Sequence, residues 1–170
     1  MKKLIIILFM LCYSIGYTAT GDCTLFYWIR NSEATYDATR NDASGSNDSS
    51  SGGKIGQATG FNLDRGYLHF DIPALDSCAS AYLYLYGESD SSSTDFELMA
   101  YNGEWADNPS SAKWDEFDGW ESSGAYSGTT WIDVGEWSTS DFVAGWNVIE
   151  LNSVGRDSIY ANAGGELKFA

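Results

Sequence analysis

The chain has 170 residues, enough for one domain with a hydrophobic core, and carries 24 acidic against 9 basic residues for a net charge of −15. That balance excludes a grip on phosphate backbones, which needs clustered Lys and Arg, so no nucleic-acid partner is expected. Aromatics at 15%, 18 glycines and only 2 prolines, with no long run of apolar residues at helical spacing, point to an all-β fold.

The chain opens with "MKKLIIILFMLCYSIGYTAT". Lys2 and Lys3 form a basic start, and residues 4–12 form an apolar run too short to span a bilayer comfortably. Small residues follow at Ser14, Gly16 and Ala19, the layout of a secretory signal peptide. Ser14-Ile15-Gly16 fits the small-x-small cleavage rule, whereas Ala19 has the bulky Tyr17 two residues before it. We divide the chain into a leader, residues 1–19, and a domain, residues 20–170, with no membrane insertion after the leader is removed. Its loss takes two lysines, leaving 7 basic residues against 24 acids, a net charge of −17. Cys12 leaves as well. Cys23 and Cys78 remain, an even pair suited to a disulfide in an oxidising compartment. Such a bond would close a loop of 56 residues, contributing about 4 kcal/mol on a loop-entropy account.

Strands are expected near residues 24–30, 33–39, 54–58, 66–72, 80–87, 96–101, 131–136, 146–151 and 166–170. "NDASGSNDSSSGG", residues 41–53, and "GESDSSSTD", residues 87–95, read as polar loops. Residues 152–165 are the one helical segment, with Ser153 as its cap and Gly164 or Gly165 as its end.

Alternation assigns the faces. In "YLHFDI" Leu68, Phe70 and Ile72 share one face, opposite Tyr67, His69 and Asp71. In "AYLYLYG" Leu83 and Leu85 oppose Tyr82, Tyr84 and Tyr86. In "WNVIELN" Ile149 and Leu151 oppose Trp146, Val148 and Glu150. Strand side chains alternate between faces, and aliphatics take the dry one. Tyr82, Tyr84, Tyr67 and His69 are therefore expected outward or at a rim.

The order of these pieces resembles secreted β-jelly-roll domains of the DNRLRE type, themselves similar to carbohydrate-binding modules of polysaccharide-degrading enzymes. The motifs are Arg65, "YLHFDIPAL" (67–75), "SAYLYLYG" (80–87), "LMAYNGEW" (98–105), Lys113-Trp114 and "GWNVIELN" (145–152). The resemblance spans roughly residues 33–170. It implies a two-sheet antiparallel β-sandwich, non-catalytic, that binds a polysaccharide or glycosylated surface from a larger exported protein. Two departures stand out. "WADNPSSAKW", residues 105–114, is longer than the family's segment and lacks its Glu. The chain also stops at Ala170 without the family's closing strand, so the sandwich is expected either to be a fragment missing its last strand, the favoured reading, or to have its last edge supplied by something else.

Stacking of aromatic rings on sugar C–H faces makes the tryptophans candidates. Trp114 and Trp120, flanking "DEFDG", are expected to be exposed and to join Tyr82, Tyr84, Tyr67 and His69 in ligand contact. Acidic loops at Asp37, Asp107, Asp115 and Asp118 carry oxygen ligands of the kind calcium takes, and jelly-roll relatives often hold a structural calcium, but no strict spacing is present. No other cofactor is implied. One histidine and no marked carboxylate pair argue against catalysis. Tyr67 and His69 as acid and base, with Arg65 holding a uronate, are the enzymatic alternative. A structural or adhesive part of a cell-surface or virion assembly is the other.

Overall fold

The structure, a computed structural model, describes residues 8–14, 17–50, 53–90, 94–106, 109–122 and 126–170, with backbone alone for residues 8–14, 17, 18 and 22. Eight strands form one antiparallel sheet: β1 (Leu8–Ser14), β2 (Tyr17–Ser32), β3 (Asn47–Ser49), β4 (Gly56–Ala58), β5 (Asn62–Asp71), β6 (Ser80–Gly87), β7 (Gly145–Glu150) and β8 (Glu166–Phe169). Their order is β4-β5-β2-β1-β6-β7, with β3 beside β2 and β8 beside β5. Two helices, α1 (Tyr36–Asn41) and α2 (Ser153–Ala161), complete the fold.

The long strand β2 joins the two halves. Its first part pairs with β1 and its second, from Asp22 on, with β5. The register slips between Cys23 and Leu25. A bulge bends a strand and increases its twist. The inward faces of both halves then meet in one core. Leu68 and Phe70 of β5 and Leu167 and Phe169 of β8 join Leu83 and Leu85 of β6 and Ile149 of β7 there. Trp131, Ile132, Leu151 and Ile159 of α2 close it. The fold is an all-β antiparallel sandwich, as composition and alternation predict. Phe169 lies edge-on to Phe70 and Trp131, with centroids at 5.2 and 4.6 Å, a favoured arrangement for rings.

A second, smaller core covers the other face of β5. Ile29, Leu63, Tyr67, Trp105 and Trp114 are all buried in it. Trp105 and Trp114 in this layer come from segments without strand periodicity, so alternation along β5 does not reveal that it is covered on both sides.

Several expectations are corrected. Residues 33–39, read as a strand, lead into α1, where the Thr35 side chain accepts from Ala38 N. This N-cap satisfies a donor that helix geometry leaves orphaned. Residues 96–101 and 131–136, expected as strands, form none; a single isolated bridge, Glu97↔Ser138, falls in the first. The polar loop after Asn41 carries the short strand β3. Helix α2 is capped by Asn152 rather than Ser153: its side chain accepts from Val154 N and Gly155 N. Gly164, at φ 77°, ends that segment in the left-handed region that favours glycine.

The edge of β8 is paired by another segment of the chain. Tyr101 N donates to Ala170 O, Ala170 N to Tyr101 O and Gly103 N to Lys168 O. Segment 101–103 thus takes the place expected of a closing strand. Cys23 and Cys78 are not bonded to each other. The Cys23 thiol donates to Leu25 O at 3.1 Å and the Cys78 thiol to Ser80 O at 3.7 Å, each held to its own segment. Residues 8–14, read as part of a leader, form β1 between β2 and β6.

Candidate functional site

The β6–β7 ribbon presents an aromatic strip on its outer face. Register places Tyr82 opposite Glu150, Tyr84 opposite Val148 and Tyr86 opposite Trp146. The alternate residues point inward: Leu83 and Leu85 are 2% and 9% exposed, and Ile149 is fully buried. Tyr82 and Tyr84 are half-buried, whereas Tyr86, Trp146 and Val148 are 36%, 40% and 49% exposed. The Tyr86 and Trp146 rings meet edge to face, centroids 5.3 Å apart at 82°. Cross-strand aromatic pairs of this kind hold each other's rotamers and stabilise the ribbon.

The approach to Trp146 is pinned from below. Asn147 is buried, and its side chain donates to Val143 O at 2.9 Å and Gly145 O at 3.1 Å while accepting from Val143 N at 2.9 Å. Gly145 sits at φ 125°, which a side chain would strain. The turn into β7 is therefore fixed, and Trp146 emerges from a rigid base. Sequence reasoning placed Tyr82 and Tyr84 on this face but did not select Tyr86 or Trp146. The parity of "GWNVIE" against "SAYLYLYG" was the available signal.

Tyr67 and Trp114, both expected to face a ligand, are fully buried. The Tyr67 hydroxyl donates to Trp114 O at 2.8 Å, and the Trp114 indole N–H donates to Thr39 O at 3.2 Å. Tyr67 also lies edge-on to Trp105 at 5.2 Å. Burial pushes the Tyr67 phenol well above its usual range, with Arg65 opposing the shift and Asp115 and Tyr126 adding to it. A phenol held protonated is the reverse of what a catalytic base needs.

Arg65 is committed to the same layer. Its guanidinium lies 3.8 Å from the centroid of the Trp114 ring and within 5.7 Å of those of Phe117 and Tyr126. It donates to Trp114 O at 2.7 Å, Arg40 O at 3.2 Å and the Tyr126 hydroxyl at 2.5 Å. A planar cation stacked and forked in this way holds loops together. Trp120 is half-buried and donates to Arg40 O at 3.3 Å. His69 retains 18% side-chain exposure. Its Nε2 lies 3.2 Å from Glu166 Oε2, close enough for an ion pair when protonated but not aligned as a hydrogen bond.

Among the described residues, Asp37, Asp115 and Asp118 do not gather into a metal-binding group. Asp37 is 82% exposed and pairs with Arg40. Asp115 and Asp118 are half-buried, and burial raises the Asp115 carboxyl above its usual range. Asp107 lies outside the described residues. Among the described residues no three His, Cys, Asp or Glu side chains gather in a metal-binding group. No helix among them is long and apolar enough to cross a membrane.

Compared with protein-family models, curated proteins and solved structures, the chain matches none.

Proposed function

We propose that the chain is a non-catalytic extracellular module whose β6–β7 outer face binds carbohydrate, on a glycan or a glycosylated surface, as part of a larger exported protein. The observation that carries this reading is the strip Tyr82, Tyr84, Tyr86 and Trp146, aligned by register and partly open to solvent. Rings stack on the apolar faces of pyranoses, while phenol hydroxyls and the Glu150 carboxylate take sugar hydroxyls. Tyr and Trp supply such contact area with few torsions to freeze. The leader-like start and the acidic surface suit an exported protein. The order of motifs resembling DNRLRE-type jelly rolls agrees with this. Tyr67 and Trp114 are buried and Arg65 is stacked on Trp114, which leaves the proposed surface on β6 and β7.

The test is binding to a glycan array and to insoluble β-glucan, xylan and mannan. Tyr84→Ala and Trp146→Ala each remove one ring, which should weaken binding about tenfold, roughly 1.4 kcal/mol. Tyr160→Ala alters a residue 50% exposed on α2 and should change nothing. Binding that survives both ribbon substitutions would contradict the proposal.

A second reading, an adhesive or assembly surface for a protein partner, draws on the same ribbon. Val148, opposite Tyr84, is 49% exposed in the strip, and an aliphatic offers nothing to sugar hydroxyls. Failure of every glycan, with a protein captured through Trp146, would favour it.

A further inference from the structure

Strand β6 lies between β7 and β1 and is unguarded along its length. "SAYLYLYG" carries no charge and no proline. One of its edges pairs with β7. The other pairs antiparallel with β1, from Leu8↔Leu85 through Tyr13↔Ser80. Soluble proteins guard open strand edges with lysine, proline or bulges. β6 has no lysine or proline, so its second edge needs a neighbour. Yet that neighbour, Leu8–Ser14, lies wholly within the segment read as a leader. A cut at residue 19 would also remove half of the stretch Tyr17–Asp22 that faces β1 from β2.

We propose that in the exported chain the β6 edge at residues 80–85 accepts a strand donated by another polypeptide. The occupant is an extended, uncharged, apolar segment of about six residues that runs antiparallel to β6. The strand now seated there defines that chemistry: "LFMLCYS" has no charge and no proline, and it pairs residue for residue. A second copy of this chain does not suit the place, because two mature chains of net charge −17 repel one another. The inference rests on the leader reading and not on the carbohydrate reading. Strand addition uses backbone groups along one edge of β6, whereas the sugar surface uses rings on its outer face.

The chain is expressed with its own leader in an exporting host, and intact mass fixes its N-terminus. Hydrogen exchange is then followed at the amides of residues 80–85, alone and with a synthetic peptide of residues 8–14 that carries lysine tails and Cys12→Ser. The expected result is a start beyond Ser14, fast exchange along 80–85, and exchange slowed at least tenfold by the peptide. The same peptide with Leu11→Pro should not protect, since proline removes a ladder donor. An exported chain that is unfolded alone and folds when the first peptide is added, but not the proline one, supports the proposal equally. Retention of residues 8–14, or protection without peptide, whether by a sealed edge or a dimer, would overturn it. So would equal effects of the two peptides or no effect of either. None of these outcomes bears on Trp146→Ala and glycan binding, so the two readings fail separately.

Discussion

Tyr67 shows how one residue ties a sheet to the layer above it. Its ring is fully buried against Trp105 and its hydroxyl donates to Trp114 O. Because its folded pKa is raised, this group contributes stability that is fully present below the unfolded value, near pH 10, and is lost as pH rises beyond it. Alkaline unfolding should therefore begin near that pH. Tyr67→Phe should remove part of the slope while costing about 1 kcal/mol at neutral pH, both read by denaturant titration. Trp114→Ala should cost about 3–5 kcal/mol, because it opens a cavity and strips Arg65 of its stacking face. Arg65→Lys should also lower the melting temperature, since an ammonium reproduces neither the stack nor the fork. Cys23 offers a separate check. Burial pushes its thiol up, so alkylation at pH 8 should be slow in the folded protein and fast in denaturant.

Among the elements, β6 is the most legible. Alternation in "SAYLYLYG" predicted its bounds and which side faces the core, and the structure has Leu83 and Leu85 buried with the tyrosines opposite. β7 and β8 were legible for the same reason. β5 was half legible: its Leu68–Phe70 face was assigned correctly, but Tyr67 was read as a rim residue because nothing in its own period announces a second covering layer. Residues 33–39 differ from the expected strand because the β-prone Thr35, Tyr36 and Thr39 keep no period of two, and the Thr35 cap starts a short helix instead. For α2 the helix was foreseen but its cap was placed one residue late. Asn152 holds both ends of that junction, accepting from Val154 N and Gly155 N while donating to Thr130 O and Asp133 Oδ1. Asn152→Ala should cost about 1–2 kcal/mol in thermal denaturation. Asn152→Ser, which keeps the cap and loses the two donated bonds, should recover part of it.

For the whole molecule, the candidate site was legible only as a face. Parity places Tyr82 and Tyr84 outside, and the stacking argument points to Trp114 and Trp120. Yet Trp105, Trp114 and Trp131 are at most 1% exposed. Large rings in irregular segments had to be buried somewhere, and the second core and the closure of the first took them. Trp146, paired with Tyr86 near the start of β7, is left 40% exposed. Acidity acts at this scale too. Self-repulsion in a chain of net charge −15 should be screened by salt, so the melting temperature should rise from low ionic strength to about 0.15 M.

The most direct measurement follows the indole N–H signals of the 7 tryptophans by NMR while soluble hexasaccharides of β-glucan, xylan and mannan are added in turn. The account predicts that with the bound sugar the Trp146 signal moves and those of Trp105, Trp114 and Trp131 stay still. A ligand that shifts Trp120 or Trp137 and leaves Trp146 in place would contradict it.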